Sequence, residues 1–246
     1  MKGIKSHAIL LFSVLAGIFA LSIYGLLSGD IPTEFNDVYH ALLDYSDQDI
    51  NQVIIREIRL PRIMMAIISG AALSVAGMLM QTLFQNPLAG PYVLGINSGS
   101  SLMVALGVLS GVGFFNSELG LIGSALLGAF VFGLFILFTA SFLRNQIGLL
   151  LFGVMLGSFV SAIITILEAG SQAEALKSFA LWSMGSLNNV TIEQIPIILA
   201  VFIVTCFLTF FIVKPLNILI LGEEECRLMG YDIKKIRILI VFITAL

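Results

Sequence analysis

The sequence predicts an all-α, polytopic transmembrane helical bundle. Charged residues fill 11% of its 246 positions and hydrophobic ones 59%, whereas a soluble domain carries roughly a quarter charged. Mean hydropathy is +1.06. The apolar residues also gather into runs close to the ~20 residues that cross a bilayer as a helix. The charges are sorted into the stretches between those runs. A net charge of −3 is too small to suggest a nucleic-acid partner.

Taken in order, the predicted spans cover residues 8–27, 63–84, 92–109, 119–143, 147–167, 192–213 and 236–246. That is about six complete spans and a partial seventh. The first follows Lys2 and Lys5 and looks at first like a signal peptide. Its apolar run is longer than the roughly 7–15 residues of such a peptide, so a retained first helix is expected. Residues 29–62 form an expected external loop, rich in acids (Asp30, Glu34, Asp37, Asp44, Asp47, Asp49, Glu57) and ending in Arg56, Arg59 and Arg62. Gln85-Asn86-Pro87 separates spans two and three, because Asn-Pro is a turn signal. Asn145 and Gln146 lie between spans four and five. Glycines recur four apart at Gly95/Gly99, Gly107/Gly111 and Gly153/Gly157, a spacing that lets helix backbones approach closely in lipid. The seventh segment holds 11 residues, too few to span. The expectation is a single transmembrane domain over residues 1–246, cut inside a span at its C-terminal side.

Orientation is read from Lys and Arg. With the N-terminus in the cytoplasm, the inner set is Lys2, Lys5, Arg144, Lys214, Arg227, Lys234, Lys235 and Arg237, and the outer set is Arg56, Arg59, Arg62 and Lys177. Three of the four exceptions sit together. No Asp, Glu, Lys, Arg or His occupies the middle of a complete span. Ion-coupled carriers usually keep such groups at membrane depth, and an intramembrane enzyme needs an acid/base pair, a metal-ligand set or a nucleophile there. Neither class fits. The chain has no GxxxxGK[ST] loop to cradle ATP, so energy for pumping would come from a partner. Cys206 and Cys226 show no metal or disulfide spacing.

The stretch 214–235 is a second polar interval. Gly222 precedes Glu223, Glu224 and Glu225, Arg227 follows, and Gly230 stands where a C′ glycine would. Acids in a first turn suit the positive end of a helix dipole, and glycine past the last turn suits its end. A helix of about two turns is predicted, exposing Cys226, Leu228 and Met229. It would either dock into a cytoplasmic partner or rest on lipid.

Several ordered motifs carry a family resemblance. They are Arg59-Leu60-Pro61-Arg62, Gly70-Ala71-Ala72-Leu73 with Gly77, Met80-Gln81, and Gln85-Asn86-Pro87-Leu88-Ala89-Gly90-Pro91. Downstream come Leu149 to Gly157, Trp182-Ser183-Met184-Gly185-Ser186-Leu187, and Leu221 to Gly230. Together these resemble the iron-siderophore, haem and vitamin B12 importer permeases of bacterial ABC systems, the FecCD/BtuC type. Members have about ten spans of bilayer length; this chain departs from the pattern by ending in the seventh.

The resemblance implies a multi-pass permease of the bacterial inner membrane, without catalytic residues, cofactor or metal of its own. It implies a dimeric cytoplasmic ABC ATPase subunit, a periplasmic or lipoprotein substrate-binding protein and a second permease copy, and no nucleic acid. Arg59 and Arg62, with Arg56 a weaker match, correspond to outward arginines that receive acids of the binding protein; snorkelling at the lipid boundary is the alternative. Asn86 and Leu88 correspond to a cytoplasmic gate, with turn chemistry as the alternative; Asn145 and Gln146 are a second gate candidate. Gly222, Glu223, Glu224, Leu228 and Gly230 fall in the helix that seats on the ATPase, within the coupling loop 214–235. Trp182 receives no role. The expected cargo is a ferric siderophore first, haem second and cobalamin third, an order set by frequency in the family. Outside that class stand an ATP-independent channel or secondary carrier, and a non-transporting remnant.

Overall fold

The computed structural model describes residues 2–110, 118–143, 146–188 and 190–246. Among them every regular element is helical. Five helices are long and apolar enough to cross a membrane: His7–Leu27, Ile50–Phe84, Gly120–Ala140, Ile147–Gly170 and Ile195–Leu219. Backbone N–H and C=O groups find no water in hydrocarbon, so helices that satisfy them internally are the form such apolar runs take. The chain divides into two compact units, Met1–Ala71 with Ser186–Phe202, and Ala72–Gly185 with Ile203–Leu246.

The first unit begins with α1 (Lys2–Leu27). The acidic stretch that follows holds α2 (Phe35–Leu43) and α3 (Ile50–Val53), where the sequence suggested a loop. Its acids act as helix starts. The Glu34 N–H donates to Asp37 Oδ2 at 2.9 Å, and the Asn51 N–H donates to Asp49 Oδ1 at 2.9 Å. Both contacts satisfy N–H groups that a helix start leaves open. From α3 the chain runs through a π-helical turn, Ile54–Arg59, into α4 (Leu60–Phe84). The Leu60 N–H bonds to Ile55 O, five residues back. Pro61 has no N–H to offer the Glu57 carbonyl, which accounts for the widened turn before it. Leu26, Val38, Ala41 and Ile55 form the buried centre of this unit.

In the second unit the predicted third span is not one continuous helix. Pro91–Leu94 is a 3-10 turn, and α5 runs from Ile96 to Leu109. Between them Gly95 has φ +75°, and a Cβ there would lie 3.1 Å from the Gly153 carbonyl oxygen. Only glycine meets both demands, a left-handed backbone and a touching neighbour. The Gly95 and Gly99 pair packs as expected. Gly95 sits against Gly153 and Gly157 in α7 (Gln146–Gly170), and Gly99 sits against Gly128 in α6 (Glu118–Phe142). Gly111 lies outside the described residues. The Ser100 hydroxyl donates to Ala125 O at 2.9 Å across the same α5–α6 contact.

The unforeseen helix α8 (Ala173–Ser183) places Phe179 against Val104, Ala105 and Val108, with Trp182 stacked on it at 6.2 Å. Next comes α9 (Ile195–Leu219), which continues through Pro215 instead of stopping at Val213. Its last turn survives the lost N–H because Ile212, Leu216 and Leu219 are buried in the main core; tertiary packing outweighs the local penalty. That core also holds Leu79, Met80 and Leu83 of α4, Ile136 and Ala140 of α6, and Ile236, Ile240 and Ile243 of α11 (Ile233–Ala245). A short helix, α10 (Glu223–Leu228), precedes α11.

Candidate functional site

Two segments hold the residues that the sequence singled out. In the first unit, the three arginines are placed three different ways. Arg56 lies over the Tyr45 ring, with Cζ 4.3 Å from its centroid, a cation–π contact. Arg59 turns inward and is 8% exposed. It donates to Leu26 O at 2.7 Å, Thr33 Oγ1 at 2.8 Å and Ile31 O at 2.5 Å. Leu26 lies in the last turn of α1, where carbonyls lack helical partners and the dipole favours a cation. Gly29 admits the guanidinium, since a Cβ there would come within 2.6 Å of Arg59 Nη2. The outward Arg59 expected from the sequence is therefore an inward residue in this structure. Arg62 is half-buried, and its buried Nε has no hydrogen-bond partner.

The second unit carries the turn after α4 and the helix α10. Gln85 has φ +47°, an unusual value for a residue with a side chain. It ends α4 in the position glycine normally takes: its N–H bonds to Thr82 O and the Asn86 N–H to Gln81 O. The Gln85 side chain donates from Nε2 to Leu219 O at 2.8 Å, joining the ends of α4 and α9. Asn86 Oδ1 accepts from the Leu88 N–H at 2.9 Å, the turn chemistry that Asn-Pro suggested. Leu88 is 88% exposed. Asn145 lies outside the described residues; Gln146 opens α7, and its side chain lies outside them too.

Helix α10 starts after Gly222, whose φ of +141° suits glycine alone and whose missing Cβ leaves room for the Glu225 carboxylate. At its other end Gly230 takes φ +84°. The Gly230 N–H bonds to Arg227 O at 2.9 Å and the Tyr231 N–H to Cys226 O at 3.1 Å, the paired bonds of a Schellman cap. The helix is two-faced. Glu223 faces inward, where Arg237 Nη2 reaches its Oε1 at 2.8 Å. Cys226 is 0% exposed in the main core, so the expected exposure of Cys226 is corrected: it lies three positions after Glu223, on the same side of the helix. Burial first, and the Glu223 charge second, push the Cys226 thiol up from its ordinary value. On the opposite side Leu228 is 88% exposed, and Glu224 and Met229 are also exposed. Among the described residues no group of three or more His, Cys, Asp or Glu side chains could hold a metal ion.

This helical fold has known counterparts. Residues 14–246 match the FecCD transport family. The chain belongs to the FecCD transport family. Over 213 residues it is 34% identical to the hemin transport system permease protein HmuU of Yersinia pestis, covering 85% of this chain and 63% of that protein. Over 229 residues it is 31% identical to the ferric enterobactin transport system permease protein FepG of Escherichia coli, covering 90% of this chain and 66% of that protein. The chain thus spans somewhat less than two thirds of the length of these curated relatives. Other relatives are named for vitamin B12 and molybdate import. The fold superposes with a TM-score of 0.81 and 27% identity on a solved ABC transporter assigned to the metal-chelate type, in an inward-facing conformation, covering 97% of this chain and 73% of that one. Membership and the five apolar helices make this a multi-pass membrane protein with an ABC permease fold.

What sequence reasoning missed is the set of inward partners: Thr33 and Gly29 for Arg59, Leu219 for Gln85, and Arg237 for Glu223. Arg237 was legible only as a positive-inside charge. Arg59 and Thr33 lie 26 positions apart, Gln85 and Leu219 134, and Glu223 and Arg237 14, and no local pattern marks any of these pairs.

Proposed function

We propose that this chain is the membrane-spanning permease of a binding-protein-dependent importer of the inner membrane, with its N-terminus in the cytoplasm. A binding protein delivers a metal chelate at the outer face. A separate ATPase subunit, present as a dimer with two permease copies, drives alternating access by moving α10. The observation that carries the reading is the two-faced construction of α10. Its inner face is anchored by Glu223 and Cys226, while Leu228 and Met229 are presented outward from a helix that starts after Gly222 and ends in a Schellman cap at Gly230. A connector that only had to link α9 to α11 needs no such element.

Docking of the binding protein falls to Arg56 and Arg62, with Arg59 holding their segment against α1 from within. The partial exposure of Arg56 and Arg62 supports this assignment, since a guanidinium at the surface can make charge-assisted contacts with acids of a docked protein. The turn at Asn86 and Leu88 serves as the inner gate. Asn86 shapes the turn and Leu88 supplies an exposed apolar plug; Asn145 and Gln146 are the second gate element. Gly222, Glu223, Glu224, Leu228 and Gly230 form the ATPase-coupling segment. For cargo the order is ferric siderophore, haem, cobalamin, set by frequency in the family; relatives named for enterobactin, hemin and vitamin B12 support these classes and not their order.

Reconstitution in vesicles with the ATPase and binding protein, using ferric enterobactin, hemin and cobalamin as probes, tests the reading. Uptake should require both ATP and the binding protein. Uptake of any probe that persists without either one sinks the importer reading in favour of an energy-independent carrier.

A further inference from the structure

Arg237 stands five positions after Asp232, the α11 N-cap, and is 4% exposed. Its guanidinium spreads between two other elements. Nη2 donates to Glu223 Oε1 in α10, and Nη1 donates to Leu143 O, each at 2.8 Å. Leu143 is the residue immediately after α6, so its carbonyl is one that the helix leaves without an intrahelical partner. The fork of an arginine serves two acceptors in fixed directions, which a lysine cannot do. We infer that Arg237 is a positioning residue that pins α10 to the C-terminal end of α6 and to α11, so that displacement of α10 moves all three together.

The inference rests on the reading of α10 as the ATPase-docking helix, and it adds the route by which force leaves that helix. On an α-helix, Glu223 and Leu228 point about 140° apart at 3.6 residues per turn, so the docking face and the anchored face are separate. The apolar contacts around the anchor continue the connection, because Cys226, Ile236, Ile240, Ile136 and Ala140 share one core. Those contacts tolerate sliding. A partly buried ion pair adds little net stability over apolar packing, but it holds only at one relative placement of its partners. That property suits a transmission point.

The test uses the permease assembled with its ATPase in lipid nanodiscs. A fluorescent probe is attached at Met229→Cys on α10 or at the exposed end of α6 through Phe142→Cys, and each signal is read against the unsubstituted chain. ATP should shift both probes. In Arg237→Gln, the α10 probe should keep its ATP response while the α6 response falls about tenfold, within the range of 5–150-fold typical of coupling between sites. An α6 response that stays at full size in Arg237→Gln, with the α10 probe still responding, overturns the inference and leaves the docking reading standing. An α10 probe that ignores ATP in the parent complex overturns the docking reading itself. If Arg237→Gln fails to insert, Glu223→Gln is read in the same way: a selective loss at α6 supports the pin, and an undiminished α6 response overturns it.

Discussion

Among the described residues two arginines are buried, and their surroundings differ. Arg59 is held by neutral oxygens alone: two carbonyls and a threonine hydroxyl, gathered at the end of α1. Arg237 is held by one carbonyl and one carboxylate, and the carboxylate belongs to a six-residue helix. The first arrangement uses the negative end of a helix dipole to receive a cation. It fixes the segment between α1 and α4 without any acid. The second ties a charge to a small element whose outer face is free of the core. The comparison teaches that a buried arginine can close a joint or link a movable part, and that the identity of its acceptors tells the two apart.

The largest expected effect comes from breaking the closed joint. Arg59→Ala removes three charge-assisted or short hydrogen bonds and leaves buried carbonyls unpaired, which should cost about 3 kcal/mol or more. Thermal unfolding in detergent should show this as a large drop in midpoint. Arg59→Lys should recover only part of it, because one ammonium cannot serve three divergent acceptors as the fork does. Next in size is Gly29→Ala, where the added Cβ meets the Arg59 guanidinium. Displacing the side chain should cost about 1–3 kcal/mol by the same measurement. An unchanged midpoint in either variant would mean that Arg59 does not close this joint.

At the other region the effects on stability are smaller and the effects on assembly larger. Gly230→Ala forces a side chain into a left-handed backbone and should cost about 1 kcal/mol through the cap of α10. Leu228→Asp alters an exposed position and should leave stability within about 0.5 kcal/mol, yet the ATPase subunit should no longer co-purify. Retention of the ATPase by that variant would return α10 to the role of a helix resting on lipid.

Much of the fold was legible in the sequence, for physical reasons that can be named. Spans such as Gly120–Ala140 and Ile147–Gly170 show themselves because hydrocarbon demands long apolar runs. Helix α10 showed itself through Gly222, its three acids and Gly230, since caps are local chemistry. The start of α4 did not: its π-helical turn follows from Pro61 and from the burial of Ile55, and the acids before it resemble a loop until their capping bonds are seen. Tyr92–Leu109 read as one span because hydropathy is blind to the turn at Gly95, which the Gly153 backbone requires. The site was legible by position and not by direction. Arg56, Arg59 and Arg62 stand together in the sequence, yet one stacks on a tyrosine, one is buried and one keeps an unpaired nitrogen.

The central claim is that the outer face of α10 meets the ATPase. Leu228→Cys in the assembled transporter, treated with a short bifunctional maleimide, tests it most directly. The native Cys226 serves as the internal control, since a buried thiol with a raised pKa stays protonated and reacts slowly. The account predicts a covalent adduct between position 228 and the ATPase subunit, absent from the parent chain, in an amount that changes when ATP is added. Efficient labelling of position 228 by a monofunctional maleimide, with no adduct to the ATPase in any nucleotide state, would contradict it.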